Sequence, residues 1–384
     1  MRNRREFIKQ AAFAGLGAVT GGCMNVGSGG KAPAIAGDFG WGVLLHLGSN
    51  MWGDWTPDGN YPSSREEERK MFPNPQPREN GSLPGVVRNY VGADEAVWRE
   101  QTECMRDEGL NLVMIDVGEA YAYPSHPELW VNGSWGPDRM RAELKRLRGL
   151  GLEPVPKLNF SAGHDIWLKE YHYMTSSRKY YEVVADLIRD VCEVFDRPRY
   201  FHLGFDEEVA AAVKGRKLAV MRQGDLWWND FNFCVREVER HGTRAMLWSD
   251  KICGGKEDFL KRMSKGVLQV PWYYGVDFSE EKLKWKPEFE TSQDWSVQRN
   301  LASSIIVLAD AGFDVMPCTS NWSHDEAADA MIGFCKRRVD PAKLKGFLTA
   351  PWFMTLEGQN RKLKDGIRLF AAAKRKYYPG RFSS

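Results

Sequence analysis

The sequence has no excess of charge of either sign. Its 384 residues include 53 Lys and Arg and 51 Asp and Glu, which leaves a formal net charge of +2. Because binding to nucleic acid or to an acidic lipid surface depends on a positive field, this balance argues against a polyanionic partner. The chain has no apolar run beyond about 18 residues, and its mean hydropathy is -0.48. Both features exclude a protein with several membrane spans.

Cysteines are few and scattered. The seven are Cys23, Cys104, Cys192, Cys234, Cys253, Cys318 and Cys335. No two lie at the spacing of a metal site, and several of the last six fall in apolar stretches. We therefore expect small buried hydrophobic residues rather than a disulfide framework. The histidine spacings offer no metal set either.

The first 23 residues form a basic start followed by a short apolar stretch of small residues. Arg4-Arg5 precedes Phe7-Ile-Lys9, which resembles a twin-arginine export signal. Thr20-Gly-Gly-Cys23 is similar to a lipoprotein cleavage box, although it lacks the usual leucine three positions before the cysteine. We predict a signal at 1–23, a flexible tether at 24–39 and a folded domain at 40–384. The protein is then periplasmic or anchored in the cell envelope, with a lipid on Cys23 as its only membrane contact.

Short apolar runs alternate with amphipathic stretches from Trp41 onward, and no internal repeat interrupts them. The candidate strands cover residues 42–47, 111–117, 153–160, 199–204, 243–249, 267–273, 314–319 and 346–352. Helical patterns cover residues 94–109, 138–149, 177–195, 225–241, 325–338 and 361–381. Eight parallel strands with crossover helices close most naturally into an α/β fold, a single (β/α)8 TIM barrel. A doubly wound open sheet is the alternative.

Alternation along each strand separates the side chains that face the helices from those that face inward. In the fourth strand, His202, Gly204 and Asp206 face inward. The same phase directs polar and aromatic residues toward the barrel axis or its carboxyl-terminal rim: His46, Asp116, Lys157, Asn159, Trp248, Asp250, Trp272 and Tyr274. Active sites of such barrels lie on that rim, and packing does not explain so many ionisable groups there. The 15 Trp residues suit a flat apolar ligand such as a sugar face.

Adjacent carboxyl groups follow the fourth strand directly, at Asp206 and Glu207. Like charges held close together repel, so we expect one of the two carboxyls to have a raised pKa and to stay protonated. A neutral carboxylic acid is what a general acid requires near neutral pH. Glu208 is instead expected at a helix N-terminus, where an acidic side chain favours the helix dipole.

These residues resemble a known family. His202-Leu-Gly-Phe-Asp-Glu207 is similar to the His-x-Gly-Gly-Asp-Glu motif of family 20 glycoside hydrolases, the β-N-acetylhexosaminidases. Residues 151–164 resemble the family's third-strand segment, which ends in Pro-Gly-His, with Lys157 and Asn159 where the family has Glu and Asp. Asp116 matches the second-strand Asp of the family, and Trp248-Ser-Asp250 is similar to its fifth-strand Trp motif. The resemblance covers most of residues 41–358.

The resemblance implies a retaining glycoside hydrolase that acts on a carbohydrate substrate and uses neither a metal nor an organic cofactor. The signal at 1–23 predicts that this hydrolase is exported. Glu207 would be the general acid, and Asp206 would orient a substrate 2-acetamido group whose carbonyl oxygen attacks the anomeric carbon. His202, His164 and Asp116 would support the acid/base, while Trp248, Trp272 and Trp352 would wall the sugar ring. The remaining residues expected to bind substrate are His46, Asn159, Asp250, Tyr274 and Trp322.

The sequence also departs from the family pattern. Residues 44–50 contain no Arg to hold sugar hydroxyls, and residues 319–322 contain no Tyr to bind the acetamido group. Two alternatives therefore stay open. One is a glycosidase of different sugar specificity in which Asp325, Glu326 or Glu357 pairs with Glu207 as a second carboxylate. The other is a glycan-binding lipoprotein that does no catalysis.

Overall fold

Eight strands form the centre of the computed structural model, which describes residues 39–73 and 86–379. The predicted signal at 1–23 and residues 24–38 of the predicted tether lie outside the described residues. The strands are β1 (Gly40–His46), β2 (Leu112–Asp116), β3 (Glu153–Lys157), β4 (Tyr200–His202), β5 (Arg244–Trp248), β6 (Leu268–Val270), β7 (Cys318–Thr319) and β8 (Gly346–Thr349). Each lies within or overlaps a predicted strand.

The strands are all parallel and lie in the order β6-β5-β4-β3-β2-β1-β8-β7. Single bridges between Gln269 and Val315, and between Trp272 and Cys318, join the β6 region to the β7 region. The ring is thereby nearly closed. A sequential strand order closed in this way is that of a (β/α)8 barrel, so the predicted fold class is confirmed and the doubly wound open sheet is wrong.

Helices surround the strands. They are α1 (Arg65–Met71), α2 (Glu95–Asp107), α3 (Pro137–Gly149), α4 (Arg178–Val194), α5 (Ala210–Val213), α6 (Asp225–Arg240), α7 (Lys256–Arg262), α8 (Glu280–Leu283), α9 (Leu301–Asp310), α10 (Ala327–Arg338) and α11 (Asn360–Tyr377). The six predicted helical stretches correspond to α2, α3, α4, α6, α10 and α11. Within the described ranges, no helix combines the length and the apolar character needed to cross a membrane.

Helix α4 illustrates how the sequence builds the outer layer. The Ser177 hydroxyl accepts the Tyr180 N–H over 3.2 Å and caps the first turn. Val184, Leu187 and Val191 recur at the spacing of one helical face, and all three are fully buried. The helix therefore packs its apolar face inward and leaves its charged face in water.

Aromatic rings fill the amino-terminal end of the barrel, opposite the predicted site. The Trp41 ring lies 5.3 Å from Phe347, 5.8 Å from Phe370 and 5.2 Å from Tyr378 between ring centroids. These contacts join β1, β8 and α11, so the last helix packs against the first strand. The carboxyl ends of the strands are left to carry polar groups.

Candidate active site

The chain turns sharply as it leaves β4. The strand ends at His202, and φ is 74° at Gly204, 66° at Phe205 and 57° at Glu207. For a residue with a side chain, this left-handed region costs roughly 1–2 kcal/mol, so surrounding contacts must hold the turn. The turn carries both Asp206 and Glu207 to the carboxyl end of the barrel, where a regular strand would point them to opposite faces.

Hydrogen bonds from two neighbouring strand ends hold this turn. The Ser161 hydroxyl donates to the main-chain carbonyl of Asp206. The N–H of Glu207 donates to Oδ2 of Asp250 over 2.8 Å, and Nε1 of Trp272 donates to Oδ1 of the same carboxyl over 3.2 Å. Burial, together with the negative charge of Asp206, raises the pKa of Asp250 to about 8. Asp250 is therefore a neutral acid that positions the turn at neutral pH.

Asp206 is a buried anion. Its Oδ1 accepts Nδ2 of Asn159 over 2.8 Å and lies 3.5 Å from Nδ1 of His164. Burial by itself would raise the pKa of Asp206, but the charge and hydrogen bond of His164, with the charge of Lys157 and the Asn159 amide, outweigh it. The pKa of Asp206 therefore lies well below its ordinary value.

Glu207 has the opposite electrostatic character. Its Oε2 lies 3.6 Å from Nε2 of His164, its Oε1 accepts Nε2 of Gln298 over 3.2 Å, and 27% of its side chain is exposed. Burial raises the pKa of Glu207; the charge on His164 opposes this, and the charge on Asp206 adds to it. The net result is a pKa above the ordinary value, so this carboxyl retains its proton to higher pH than its neighbour.

His164 lies between the two acids, one ring nitrogen toward each. Burial lowers the pKa of this imidazole, but the negative charges of Asp206 and Glu207 raise it by more than burial lowers it. The net pKa is therefore above the usual value. The donor atoms of the three residues also lie within 4.8 Å of one another, close enough to hold a metal ion. The two ring nitrogens of His164 face carboxylate oxygens of Asp206 and Glu207, so an imidazole N–H can also bind these oxygens directly.

A second polar group crosses four neighbouring strands in register. His46, Asp116, Lys157 and His202 are successive cross-strand partners from β1 to β4. Oδ2 of Asp116 lies 3.2 Å from Nδ1 of His46 and 2.7 Å from Nζ of Lys157. Burial opposes ionisation of Asp116, yet the charge of Lys157 and the contacts with His46 lower its pKa. Asp116 thus contacts His46 and Lys157, whereas His164 is the residue that contacts the acid pair.

His202 is neutral. Burial and the positive charge of Lys157 lower its pKa to about 3, and its Nδ1 accepts the N–H of Gly204 over 3.1 Å. Its ring lies 4.4 Å from the ring of Trp248. The first residue of the His-x-Gly motif therefore supports the turn after β4 rather than carrying charge.

Five aromatic side chains from four strand ends or the loops after them lie side by side at this rim. Trp352 is 5.8 Å from Trp248, 6.4 Å from Tyr274 and 6.4 Å from Trp52 between ring centroids. Tyr274 in turn stacks on Trp272 at 5.1 Å. These rings form a continuous wall of the kind that binds the apolar faces of a pyranose.

Two further residues singled out in the sequence have contacts of their own. Trp322 packs against Phe353 at 5.5 Å. Glu208 does not begin a helix, because α5 starts at Ala210 with Val209 as its cap. The Glu208 carboxylate instead forms a buried ion pair with Arg222. The expectation that Glu208 lies at a helix N-terminus is therefore wrong. The guanidinium of Arg222, 14 residues further along the chain, stabilises the Glu208 carboxylate in place of a helix dipole.

Three residues of the site were not predicted. Gln298 belongs to a segment without a recognisable motif, and nothing local in the sequence signals its contact with Glu207. Ser161 lies two residues beyond Asn159 in the stretch that ends at His164. Its position between two predicted site residues is the sequence signal that could have identified it. Trp52 lies in the loop after β1, where its ring contacts His46 at 4.9 Å.

A cleft lies beside Glu207. Its polar lining includes Glu207, Asp250, Lys251, Glu290 and Gln298. The Glu207 carboxyl therefore borders open space, where a ligand can approach it. A (β/α)8 barrel with an acid pair at its mouth is the class of protein that the fold and the geometry define.

Comparison with solved structures supports the barrel. The β-N-acetylhexosaminidase of Bacteroides fragilis NCTC 9343 is similar with a TM-score of 0.53 and 11% identity, over 90% of this chain and 71% of that chain. Two mutants of Streptomyces plicatus β-hexosaminidase in complex with the product GlcNAc give TM-scores of 0.51 at 12% and 13% identity, over 76% of this chain and 66% of theirs.

This chain therefore matches about two thirds of the length of the Streptomyces enzymes. No family model and no curated protein matches it. At such low identity the likeness shows the fold. The barrel fold that the resemblance to a divergent family 20 barrel implied is therefore confirmed.

Proposed function

We propose that this protein is a retaining glycoside hydrolase in which Glu207 is the proton donor. The observation that carries the proposal is the placement of two adjacent carboxyls at the mouth of a barrel, with Asp206 buried against Asn159 and His164 and Glu207 beside an open cleft. These environments displace the two carboxyl pKa values in opposite directions. Environments that push neighbouring pKa values apart separate an acid from an anion near neutral pH. Glu207 then holds the proton while Asp206 holds the charge.

In the first step, neutral Glu207 donates its proton to the glycosidic oxygen as the bond from that oxygen to the anomeric carbon breaks. The carbonyl oxygen of a substrate 2-acetamido group forms the new bond to that carbon. The contacts of Asp206 with Asn159 and His164 use Oδ1. Its Oδ2 accepts the acetamido N–H and stabilises the positive charge that develops on the group.

In the second step, water attacks the anomeric carbon and the acetamido oxygen leaves. The carboxylate of Glu207 takes the proton of that water, so the acid is regenerated and the configuration is retained. Between the two steps Glu207 is ionised, and the nearby ring of His164, whose pKa is raised by the two carboxylates, and the amide of Gln298 stabilise that charge.

Buried polar atoms at the rim are suited to sugar hydroxyls. Nε2 of His46 and Nε1 of Trp248 are buried without a hydrogen-bond partner among the described residues. Because buried polar atoms are normally satisfied, a bound hydroxyl is the natural partner for each. In this proposal His46 binds a sugar hydroxyl, as the family's arginine does; residues 44–50 contain no arginine.

The pairing of Glu207 with a second carboxylate is less well supported. Asp325, Glu326 and Glu357 are all exposed, and the cleft beside Glu207 is lined by Asp250 and Glu290 instead. Asp250 is itself a neutral acid engaged by a main-chain N–H and an indole. Substrate assistance therefore remains the preferred mechanism.

The Glu207→Gln variant tests the proposal on 4-nitrophenyl β-N-acetylglucosaminide and on disaccharides of a wider sugar panel. Removal of a general acid typically lowers the rate by about 10²–10⁴-fold, with the larger loss on disaccharides because their leaving groups need the proton. Glu357→Gln is the matched control, and we expect it to retain the wild-type kcat/KM.

The pH profile provides a second readout. Activity should fall as pH rises through the raised pKa of Glu207, because only the protonated form donates, whereas Asp206 stays ionised far into the acid range.

Equal loss in Glu357→Gln and Glu207→Gln would favour the two-carboxylate alternative. Glycan binding without product formation by the wild-type protein would favour the non-catalytic alternative.

We also propose that the protein is exported, and that Cys23 carries a lipid. The support is the Arg4-Arg5 pair and the Thr20-Gly-Gly-Cys23 box in the sequence. A periplasmic or envelope-anchored hydrolase would meet glycans that do not enter the cytoplasm.

A further inference from the structure

A buried ion pair directly follows the acid pair in the chain. Glu208 is the residue after the proposed proton donor, and its carboxylate pairs with the guanidinium of Arg222, which lies between α5 and α6. The Glu208 side chain is 1% exposed, and the Arg222 side chain is not exposed at all. Buried pairs of this kind often add little stability compared with apolar side chains of similar volume. Their contacts therefore indicate what they do better than their energy does.

The pair binds the loop that leads from β3 to His164. The N–H of Ala162 donates to Oε1 of Glu208 over 2.9 Å, and the same oxygen accepts Nη2 of Arg222. Nη2 of Arg222 also donates to the carbonyl of Phe160 over 2.5 Å. One ion pair therefore holds two main-chain groups of the short stretch that ends at His164.

The guanidinium is anchored on its other side to the outer helices. Nη1 of Arg222 lies 3.5 Å from Oδ2 of Asp230 on α6. The Asp230 carboxylate accepts the Ser176 hydroxyl over 2.7 Å and also the Tyr181 hydroxyl from α4. The guanidinium carbon lies 4.7 Å from the ring centroid of Phe205, in the turn after β4. Contacts with α6, with α4 through Asp230, and with this turn therefore fix the guanidinium.

A second arginine stabilises the same loop internally. Nη1 of Arg216 donates to the carbonyl of Ala162 over 2.8 Å, and its Nη2 donates to the carbonyl of Gly163. Its guanidinium also lies 3.8 Å from Asp165 in the same loop. Loss of the pair between Glu208 and Arg222 should therefore leave this loop folded and change its position.

The position of the loop decides how His164 meets the two acids. Its ring nitrogens lie 3.5 Å from Oδ1 of Asp206 and 3.6 Å from Oε2 of Glu207. Hydrogen bonding and the attraction between charges both weaken as such distances grow. Glu208 is next to Glu207 in the chain and binds Ala162, two residues before His164. It therefore links the acid-bearing turn to the loop that carries the imidazole.

We propose that Glu208 and Arg222 are positioning residues that hold the His164 imidazole against Asp206 and Glu207. Glu208 joins the loop after β3 to the turn after β4, and Arg222 joins both to the outer helices. The inference rests on the proposed function and deepens it, because it names two residues outside the acid pair on which the geometry of that pair depends.

The test replaces the pair with apolar side chains of similar volume, in the double variant Glu208→Leu/Arg222→Met. The net charge is unchanged, and such replacements are often neutral or stabilising, so the denaturant midpoint should stay close to that of the wild type. A shift of about 1 Å near the reacting atoms can lower a rate about a hundredfold. On 4-nitrophenyl β-N-acetylglucosaminide we therefore expect kcat to fall at least about tenfold, with a smaller change in KM.

The matched control removes the ion pair that joins the same two strands at their amino ends. Nε of Arg199, just before β4, donates to Oε1 of Glu153 in β3 over 3.0 Å. We expect Glu153→Leu/Arg199→Met to keep the wild-type kcat. An equal loss in both double variants, or the wild-type kcat in Glu208→Leu/Arg222→Met, would overturn the positioning role.

Single variants provide the comparison if the double variant does not fold. Glu208→Gln keeps an oxygen that accepts the N–H of Ala162, whereas Glu208→Met has a similar length and offers no acceptor. Both variants lose the same charge. The kcat of Glu208→Met should fall at least about tenfold, and that of Glu208→Gln should fall less. Equal kcat in the two variants would overturn the positioning role.

A titration of His164 tests the inference without turnover. In protein with ¹³C-labelled histidine, the ring signal of His164 is assigned with His164→Gln and followed by NMR as the pH changes. The charges of Asp206 and Glu207 raise the pKa of this ring, whereas burial and the charge of Lys157 lower it. A ring that is displaced from the acids but still buried should therefore titrate at lower pH.

We expect this shift to lower pH in Glu208→Leu/Arg222→Met and the wild-type titration in Glu153→Leu/Arg199→Met. The shift would support the positioning role even if the wild-type protein cleaved no glycoside and the hydrolase proposal failed. An unchanged titration in Glu208→Leu/Arg222→Met would overturn the positioning role even if the wild-type protein were an active hydrolase.

Discussion

At the scale of the residue, the site depends on carboxyl groups whose environments differ within a few ångströms. Glu207 has an unfavourable backbone conformation, with φ at 57°, and its N–H is held by Asp250. Because Asp250 has a pKa raised to about 8, it positions the acid without placing a second negative charge beside it below that pH. Asp250 is a positioning residue in this scheme.

Asp250→Asn and Asp250→Ala separate the hydrogen bond from the charge. Asparagine resembles the neutral acid in shape and still offers one carbonyl oxygen, so we expect Asp250→Asn to keep most of the activity at pH 6. Alanine leaves the Glu207 N–H and the Trp272 indole without an acceptor, a loss of about 1–3 kcal/mol. The kcat/KM of Asp250→Ala on an aryl glycoside should therefore fall about 10- to 100-fold.

The pH profile distinguishes the two roles further. Above pH 8 the wild-type Asp250 ionises, whereas Asp250→Asn has no such titration, so their profiles should diverge only on the alkaline side. If Asp250→Asn and Asp250→Ala were equally inactive at pH 6, a charge on Asp250 would be needed and the positioning role would be rejected.

At the scale of the element, the turn after β4 decides where the acids lie. Gly204 has φ at 74°, and a Cβ there would overlap the side chain of Asn159 and approach its Cα within 2.8 Å. Asn159 in turn donates to Asp206. A side chain at position 204 would therefore disturb both the backbone turn and the partner of the anion.

The variants Gly204→Ala and Gly242→Ala test whether a side chain at position 204 disturbs the turn, because the two glycines have the same φ. Gly242 also has φ at 74°, but a Cβ there would meet nothing within 4 Å. Both variants should lose roughly 1–2 kcal/mol of unfolding free energy from backbone strain. Gly204→Ala should lose more, because of the overlap, and its kcat/KM should fall at least about tenfold. Denaturant unfolding and steady-state kinetics measure the two effects.

The two variants differ in the overlap of the new Cβ with the Asn159 side chain. The same loss of stability in both variants, with activity retained in Gly204→Ala, would show that the turn tolerates a side chain and that Asn159 can move without cost.

At the scale of the whole molecule, the barrel holds its cysteines as separate thiols. All six cysteines among the described residues are free thiols, and five of them are buried. This confirms the expectation that they act as small hydrophobic residues rather than as a disulfide framework.

A double substitution of Arg4→Lys and Arg5→Lys tests the proposed export. Since the signal is read as an arginine pair rather than as positive charge, the variant should be retained in the cytoplasm as folded protein. Cell fractionation and immunoblotting in a bacterium with a twin-arginine pathway measure the distribution. Arg2→Lys makes the same chemical change outside the pair and should leave export unchanged; retention of both variants, or of neither, would contradict the proposal.

The elements differed in how far the sequence could predict them. Helices α2, α4 and α6 carry strong one-sided apolar patterns and were predicted within a few residues of their observed bounds. Helix α9 was missed because seven of its ten residues are buried, so its apolar residues do not alternate with polar ones. Strand β4 was predicted to reach Gly204, but the backbone leaves the strand after His202.

The sequence by itself determined the alternation of strands and helices, the barrel class and the adjacency of Asp206 and Glu207, because all of these are local patterns of residue type. Tertiary structure decided which carboxyl has a raised pKa and which has a lowered one. That difference depends on the burial of Glu207 and on the contacts of Asp206 with His164, Lys157 and Asn159, which lie some 40 to 50 positions away along the chain and reach Asp206 only when the barrel closes. A pKa is set by burial and by charges nearby in space, and the order of residues along a chain does not fix those distances until the chain has folded.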